Sequence, residues 1–147
     1  MNIAEEKAAT LQSFESQKAP EPVGVYPHAK RVGSLLFLSG VGPRERGTKK
    51  IPGVELSPEG EILSYDIETQ CHSVFKNVKN ILADAGSSWD QLIDVTVFLT
   101  NMKNDFDTYN RLWAEYFKDN PPCRTTVEVN CLPTPIAIEL KCIATVK

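Results

Sequence analysis

Two charged residues near the C-terminal end of the chain have side chains suited to chemistry on a small carboxylate. Arg124 follows the Pro121-Pro122-Cys123 run at the start of a predicted strand, and Glu139 lies within a later strand among apolar residues. A guanidinium can bind a carboxylate through two parallel hydrogen bonds. A glutamate inside a strand is costly to bury unless it is paired or hydrated, and a hydrated one can hold and polarise a water molecule. From spacing alone, a salt bridge between neighbouring strands is the simpler interpretation of both residues.

Two loop segments supply further candidates. In the Gly24-Val25-Tyr26-Pro27-His28 segment, Tyr26 can point a hydroxyl into a cleft, and His28 can act as an acid or a base. A packed aromatic ring and a surface or hydrogen-bonded histidine are the alternatives. Arg44 and Arg46 lie in a long loop and can attract an anionic substrate, with a solvated loop as the alternative.

Motifs for other kinds of chemistry are missing from the sequence. There is no GxSxG nucleophile motif, no phosphate-binding glycine loop and no CxxC pair. The four cysteines and the two histidines, His28 and His72, lack the close pairwise spacing that is typical of zinc ligands. We therefore expect no metal site.

The composition restricts the class of protein. The chain has 147 residues, of which 24% are charged and 41% hydrophobic, as expected of one globular domain. Its net charge of −3 argues against a nucleic-acid-binding protein that relies on bulk electrostatics. No apolar run approaches the roughly 20 residues of a membrane span, and the acidic N-terminal segment does not resemble a secretory signal. We therefore expect a cytoplasmic protein with reduced cysteines and with no nucleic-acid or membrane partner.

The elements that must position the candidate residues follow the order ββαβαββ. Apolar patterns predict them at residues 29–39 (a hairpin with its turn at Gly33-Ser34), 65–85 (a helix), 93–99 (a strand), 105–117 (a helix), 124–129 and 136–146 (strands). Ser64 and Asn104 are placed to cap the two helices. Residues 40–60 are predicted to form a long loop, residues 1–20 an N-terminal extension or short helix, and residues 21–147 a single domain.

This combination of strands and two long helices predicts an α+β fold, in which both helices pack on one face of a mixed sheet. The other face of the sheet then needs a cover, and two helices are too few to cover both faces. A partner subunit is the expected cover, so the sequence predicts an oligomer.

Several segments occur together in the order of a known family. They are residues 24–26 (GVY), 35–40 (LLFLSG), 66–88 (a helix ending in AGSS), 95–99 (VTVFL), 116–117 (YF), 121–129 (PPCRTTVEV), 132–133 (LP) and 138–139 (IE). The most diagnostic of these is the run at residues 121–129. With them, the chain from about residue 20 to residue 147 resembles the RidA/YjgF family of reactive-intermediate deaminases.

The resemblance implies a chorismate-mutase-like α+β subunit in a barrel-like homotrimer, with sites in clefts between subunits. Deaminating members of the family hydrolyse enamines and imines to keto acids and ammonia without a metal or organic cofactor. Their carboxylate-binding arginine falls on Arg124, their water-positioning glutamate on Glu139 and their cleft tyrosine on Tyr26. Thr126 stands where many members have a cysteine, so the role of a thiol does not transfer, and we expect Thr126 to line the substrate site.

Residues 22–31 and 39–44 look most similar to the 2-aminomuconate deaminase branch of the family. The predicted reaction is therefore the conversion of 2-aminomuconate to 4-oxalocrotonate and ammonia. Because this substrate is a dicarboxylate, we expect Arg44 or Arg46 to bind its second carboxylate, and His28 to donate to the substrate or to the leaving ammonia. A general deaminase of enamines such as 2-aminoacrylate is one alternative. A non-catalytic ligand-binding or regulatory trimer is another.

Overall fold

The computed structural model describes residues 11–48 and 50–147, which form a mixed β-sheet, a separate hairpin and two long helices. In chain order the elements are β1 (Leu11–Phe14), β2 (Ala29–Val32), β3 (Leu35–Leu38), β4 (Val54–Leu56), β5 (Ile62–Tyr65), α1 (Ile67–Asp84), a turn of 3-10 helix (Trp89–Gln91), β6 (Leu92–Leu99), α2 (Met102–Tyr116), β7 (Cys123–Glu128) and β8 (Ile138–Thr145).

The main sheet has six strands in the order β1-β2-β3-β8-β6-β7, and β4 pairs only with β5. Neighbouring strands of the main sheet are antiparallel except β6 and β7, which run parallel. A parallel pair needs a crossover connection, and α2 supplies it. Strand β7 therefore lies at an edge, and β6 separates it from β8. This architecture confirms the predicted α+β fold with a mixed sheet.

Both helices pack on one face of the main sheet. Alternate residues of β8 face α1 and are buried, namely Ile138, Leu140, Cys142 and Ala144. Aromatic rings join the helices, since the Phe75 ring of α1 lies 6.4 Å from the Trp113 ring of α2, measured between ring centroids. The same Phe75 ring lies 4.6 Å from the ring of Tyr116. The hydrophobic core therefore lies between the helices and the sheet.

The opposite face of the sheet carries half-buried residues. We define this open face by Phe37, Phe98, Glu139, Lys141 and Ile143, which alternate with the buried residues or pair across neighbouring strands. Apolar and charged side chains lie together on it. A partner subunit as its cover stays a prediction.

The N-terminal segment differs from the prediction. Residues 1–20 were expected to form an extension or a short helix, but Leu11–Phe14 forms strand β1, which pairs antiparallel with β2. Residues 1–10 lie outside the described residues. The segment is a strand because its backbone completes the edge of the sheet beside Ala29–Val32, a contact that its own four residues do not reveal.

Both helices begin at other residues than predicted. The cap of α1 is Asp66 rather than Ser64, because the Asp66 side chain accepts a hydrogen bond of 3.2 Å from the backbone N–H of Glu68. The cap of α2 is Asn101, whose side-chain oxygen accepts from the backbone N–H of Asn104 at 3.2 Å. The predicted hairpin at residues 29–39 is confirmed, whereas the predicted loop at residues 40–60 contains β4. Within the described ranges, no helix is long and apolar enough to cross a lipid bilayer.

Candidate active site

Arg124 lies near the start of the edge strand β7, on the side of the sheet that faces the helices. Its register partner in β6 is Val95, which is fully buried. The guanidinium carbon Cζ lies 5.1 Å from the ring centroid of Tyr109 and 5.1 Å from that of Trp113, both on α2. Among the described side chains, no carboxylate lies within ion-pair distance of Arg124. The cation is therefore held beside aromatic rings, with no counter-ion among the described residues.

Thr126 follows Arg124 on the same side of β7, opposite the buried Val97. Its Oγ1 lies 2.8 Å from the hydroxyl oxygen of Tyr109, and the two hydroxyls share one hydrogen bond. Burial raises the pKa of Tyr109, so its hydroxyl stays protonated. Thr126 is thus hydrogen-bonded to a ring that the Arg124 guanidinium contacts, and its contact with substrate stays a prediction.

Glu139 lies on β8, opposite Phe98 of β6, and is half-buried on the open face. Burial raises the pKa of its carboxyl, while the charge of Arg44 acts in the opposite direction. The backbone of Gly40 approaches it closely, since a methyl group at Gly40 would lie 2.9 Å from Oε2. Glycine at this position therefore leaves room for the carboxylate.

Arg124 and Glu139 lie on opposite faces of the sheet within one chain. Arg124 pairs with Val95, and Val95 pairs with Cys142, so all three side chains lie on the helix-facing side. Glu139 is three residues from Cys142 on β8, and an odd spacing along a strand places its side chain on the other side. The strands of Arg124 and Glu139 are also separated by β6. The salt bridge between neighbouring strands, the simpler interpretation of their spacing, is therefore not formed.

A small cavity of about 30 Å³ lies beside Gly40. Three of the predicted site residues line it together, namely Tyr26, His28 and Arg44. A cavity of this volume accommodates one or two water molecules. The hydroxyl of Tyr26 accepts a hydrogen bond from the backbone N–H of Val23 at 3.1 Å, which leaves its own proton free for a ligand.

His28 has a different role from the predicted one. Its Nδ1 accepts from the backbone N–H of Ser16 at 2.9 Å, and its Nε2–H donates to the backbone oxygen of Pro20 at 2.7 Å. The ring is buried, and both nitrogens are occupied by the backbone of the N-terminal segment. His28 therefore secures residues 16–20 against the sheet and has no ring nitrogen left to donate to a substrate or to ammonia.

The two loop arginines differ in what they contact. Arg46 donates from Nη1 to the backbone oxygens of Ser16 at 3.0 Å and Ala19 at 2.9 Å, and its Nε lies 3.6 Å from a Glu21 carboxylate oxygen. Arg44 donates from Nη2 to the backbone oxygen of Glu21 at 2.9 Å. Of the two, Arg44 lines the cavity. Arg46 is used to hold the N-terminal segment, so the structure separates two residues that the sequence treats alike.

Tyr109 and Trp113 contact Arg124, although their sequence positions indicate only one face of a helix. Their spacing of four residues places them on one face of α2, which is equally typical of core packing. The aromatic type at both positions, on the element that precedes the Arg124 strand, is the signal that can identify them. No group of three or more metal-ligating side chains occurs in the described part of the chain.

Known proteins are similar in sequence to almost the whole of this chain. Residues 16–146 match the family described as Endoribonuclease L-PSP. A RutC family protein of Pyrococcus abyssi is 39% identical over 130 residues, which cover 88% of this chain and 92% of that protein. The chloroplastic Reactive Intermediate Deaminase A of Arabidopsis thaliana is 35% identical over 131 residues, which cover 88% of this chain and 63% of that protein.

The fold is also found among solved structures. The crystal structure of E. coli TdcF with bound serine superposes with a TM-score of 0.79 at 32% sequence identity, and the match covers 92% of this chain and 99% of that one. The order of elements and the position of the edge strand carrying Arg124 therefore belong to an architecture that this chain shares with related proteins.

Proposed function

The chain belongs to the RidA/YjgF family, and from this premise we propose that it catalyses the hydrolytic deamination of enamine and imine carboxylates without a cofactor. The similar protein of Arabidopsis thaliana carries the name Reactive Intermediate Deaminase A. The structure of E. coli TdcF holds serine, which has a carboxylate. Both facts concern those proteins, and both support the same chemical class of ligand here.

The observation that carries the proposal is that the guanidinium of Arg124 has no counter-ion within residues 11–48 and 50–147. A half-buried cation that no described carboxylate neutralises is available to an anionic ligand. Its planar N–H groups match the two oxygens of a carboxylate. Binding the carboxylate next to the reacting carbon fixes the position of that carbon, which lowers the entropic part of the barrier.

The proposed reaction needs one acid–base group. An enamine tautomerises to its imine, whose carbon is electrophilic. Glu139 accepts a proton from a water molecule as the water oxygen forms a bond to that carbon, and the C=N electron pair moves to the nitrogen, which takes a proton from solvent. Glu139 then returns its proton to the nitrogen of the carbinolamine. The C–N bond breaks, ammonia leaves, and the hydroxyl proton passes to solvent as the carbonyl of the keto acid forms. A positioned general base of this kind contributes a factor of roughly 10²–10⁴ to the rate.

We propose that two subunits build each site. Arg124 and Glu139 face opposite sides of the sheet in one chain, so they cannot act on one substrate there. A second copy that covers the open face can bring its own Arg124 edge to the Glu139 of the first. The family resemblance favours three copies related by a threefold axis, in which each interface holds one site.

Within the class of enamine and imine carboxylates, we propose that the substrate is the dicarboxylate 2-aminomuconate. Its distal carboxylate needs a second cation, because an unpaired charge in a desolvated site is costly. Arg44 is the better candidate, since it lines the cavity beside Gly40 and influences the charge of Glu139. Arg46 is the weaker candidate, because its guanidinium already contacts Ser16, Ala19 and Glu21.

The family description also names an endoribonuclease. A chain with a net charge of −3 lacks the excess of basic residues with which RNA-binding proteins neutralise phosphates. Hydrolytic deamination is therefore the function that the site supports better.

The test is turnover of an enamine generated in the assay, followed through the keto acid formed. We expect Arg124→Ala to lower kcat/KM at least about a hundredfold. Glu139→Gln should lower kcat by roughly 10²–10⁴ with little change in KM, because an amide cannot accept the proton of water. Arg111→Ala is the matched control, since Arg111 is an exposed arginine of α2 that pairs with Glu68 at 2.9 Å.

Two results would contradict the proposal. Equal turnover by wild-type protein and Arg124→Ala would remove the role of the guanidinium. Tight binding of pyruvate without turnover of any enamine would instead favour the non-catalytic ligand-binding trimer.

A further inference from the structure

Arg124 is positioned by aromatic rings where an ion pair would be the usual solution. Its Cζ lies 5.1 Å from each of the Tyr109 and Trp113 ring centroids, and no described carboxylate is within ion-pair distance. We propose that Tyr109 and Trp113 are positioning residues of the site, which hold the Arg124 guanidinium beside their rings and leave the N–H groups that point away from the rings available to the substrate. This inference rests on the proposed function.

The chemistry of the guanidinium explains why rings suit this task. All its donors lie in the plane of the group, where a neighbouring carboxylate would occupy two of them and neutralise the charge. A ring face attracts the cation through its quadrupole and does not neutralise its charge. Rings therefore hold the side chain while its charge, and the N–H groups that point away from them, remain available.

The rings themselves are held firmly. Tyr109 is fully buried, and its hydroxyl is bonded to Thr126 at 2.8 Å, on the same strand as Arg124. Trp113 is buried and packs on Phe117 with ring centroids 4.3 Å apart. The Tyr109 and Trp113 rings meet at an angle of 64° with centroids 6.1 Å apart. We call these two residues the aromatic platform.

In this proposal Thr126 supports the aromatic platform, a role different from the predicted contact with substrate. Its hydroxyl fixes the Tyr109 ring, so strand β7 supplies both the cation and an anchor of the ring beneath it. Loss of the platform should allow the Arg124 side chain additional rotamers. Substrate binding should then weaken, because those rotamers must be given up when the carboxylate binds.

The experiment compares two tryptophans that both contact a cation. Trp113→Leu removes half of the platform, and Trp113→Phe restores a ring. Trp89→Leu is the matched control, because Trp89 contacts Lys79 with Nζ 5.1 Å from its ring centroid and belongs to the same aromatic cluster. The Michaelis constant for the enamine and the calorimetric Kd for pyruvate are measured for each variant and for Arg124→Ala.

We expect Trp113→Leu to raise KM and the pyruvate Kd by about tenfold, and Trp113→Phe to recover most of that loss. Trp89→Leu should change neither by more than about twofold. In the Arg124→Ala background, Trp113→Leu should have no further effect, because a residue that acts through Arg124 cannot act without it. Equal losses in Trp113→Leu and Trp89→Leu, or additive losses in the double variant, would overturn the inference.

A spectroscopic measurement separates this inference from the proposed function. The Arg124 Nε–H resonance, identified by its disappearance in Arg124→Ala, should lie at a ring-current-shifted position and should move in Trp113→Leu. A resonance unmoved in Trp113→Leu would overturn the platform even if the enzyme is active. If instead wild-type protein and Arg124→Ala bind pyruvate equally while the resonance moves, the proposed function fails and the platform stands.

Discussion

Two opposing influences act on the charge of Glu139. Half-burial on the open face raises the pKa of its carboxyl, and the smaller effect of the Arg44 cation lowers it. A base with a raised pKa accepts a proton more readily. Arg44 also lines the cavity beside Gly40, so one cation influences both the base and the space next to it.

The pH dependence of turnover should report this balance. Activity requires ionised Glu139, so kcat should fall as the pH drops through the pKa of that carboxyl, which lies above the ordinary glutamate value of 4.5. Arg44→Ala removes a charge that favours the carboxylate, so the acid limb should move to higher pH. Arg46→Ala is the control and should leave the limb in place. A pH–rate profile in which Arg44→Ala moves the limb downward, or not at all, contradicts this assignment.

Arg44 should also separate a dicarboxylate from a monocarboxylate substrate. We expect Arg44→Ala to lower kcat/KM on 2-aminomuconate roughly tenfold or more, because a hydrogen bond to a charged group contributes about 1.5–3 kcal/mol. The value on 2-aminoacrylate should barely change. Arg46→Ala should lower the stability of the protein and have little effect on kcat/KM for either substrate, given the bonds of Arg46 to Ser16 and Ala19. Wild-type preference for 2-aminoacrylate would contradict the proposal that 2-aminomuconate is the substrate.

Residue types were enough to select Arg124 and Glu139, but not to say that they face opposite sides of the sheet. That placement depends on β6 lying between β7 and β8, and such strand order is set by contacts between distant segments. The role of His28 was missed for a similar reason, since its partners Ser16 and Pro20 belong to a segment predicted to lie outside the domain.

The long elements were predictable because their apolar patterns repeat over many residues. Helix α1 spans 18 residues and β8 spans eight, so each carries several repeats of its own period. Strands β1 and β4 have four and three residues and are mostly exposed, which leaves almost no pattern to detect. Their existence follows from pairing with β2 and β5, and only the three-dimensional structure shows that pairing.

The loop before β4 is tied to the start of α1 through one glycine. Gly53 has φ +72°, and a methyl group there would lie 2.9 Å from Thr69 Cβ and 3.1 Å from the backbone oxygen of Asp66. Its N-cap role makes Asp66 the residue that sets where α1 begins. The positive φ and the close contact both require glycine.

Gly53→Ala should therefore destabilise the protein more than an alanine at an open turn. Gly60 is the matched control, with φ +85° and nothing within 4 Å of an added methyl group. We expect Gly60→Ala to cost about 1 kcal/mol for its left-handed backbone, and Gly53→Ala at least about 1 kcal/mol more for the steric conflict. Urea denaturation measures both free energies of unfolding. Equal losses would show that the contact with α1 relaxes without cost.

The shared site predicts complementation between inactive variants. Arg124→Ala and Glu139→Gln proteins should each be inactive, yet subunits mixed at equal ratio should regain activity at about one site in four, where an intact arginine meets an intact glutamate across an interface. Light scattering should give a particle near three times the 16.3 kDa of the chain for all samples. A mixture that stays inactive although its subunits have exchanged would place the site within one chain.

The placement of Arg124 and Glu139 on opposite faces has a consequence for how activity depends on the amount of protein. If each chain holds two incompatible halves of a site, a lone chain is inert, and specific activity follows the fraction of chains that are assembled. Dilution below the dissociation constant of the assembly should then switch the enzyme off without unfolding it. Catalysis would begin only when enough copies have accumulated to meet, so the supply of the chain itself would act as a threshold.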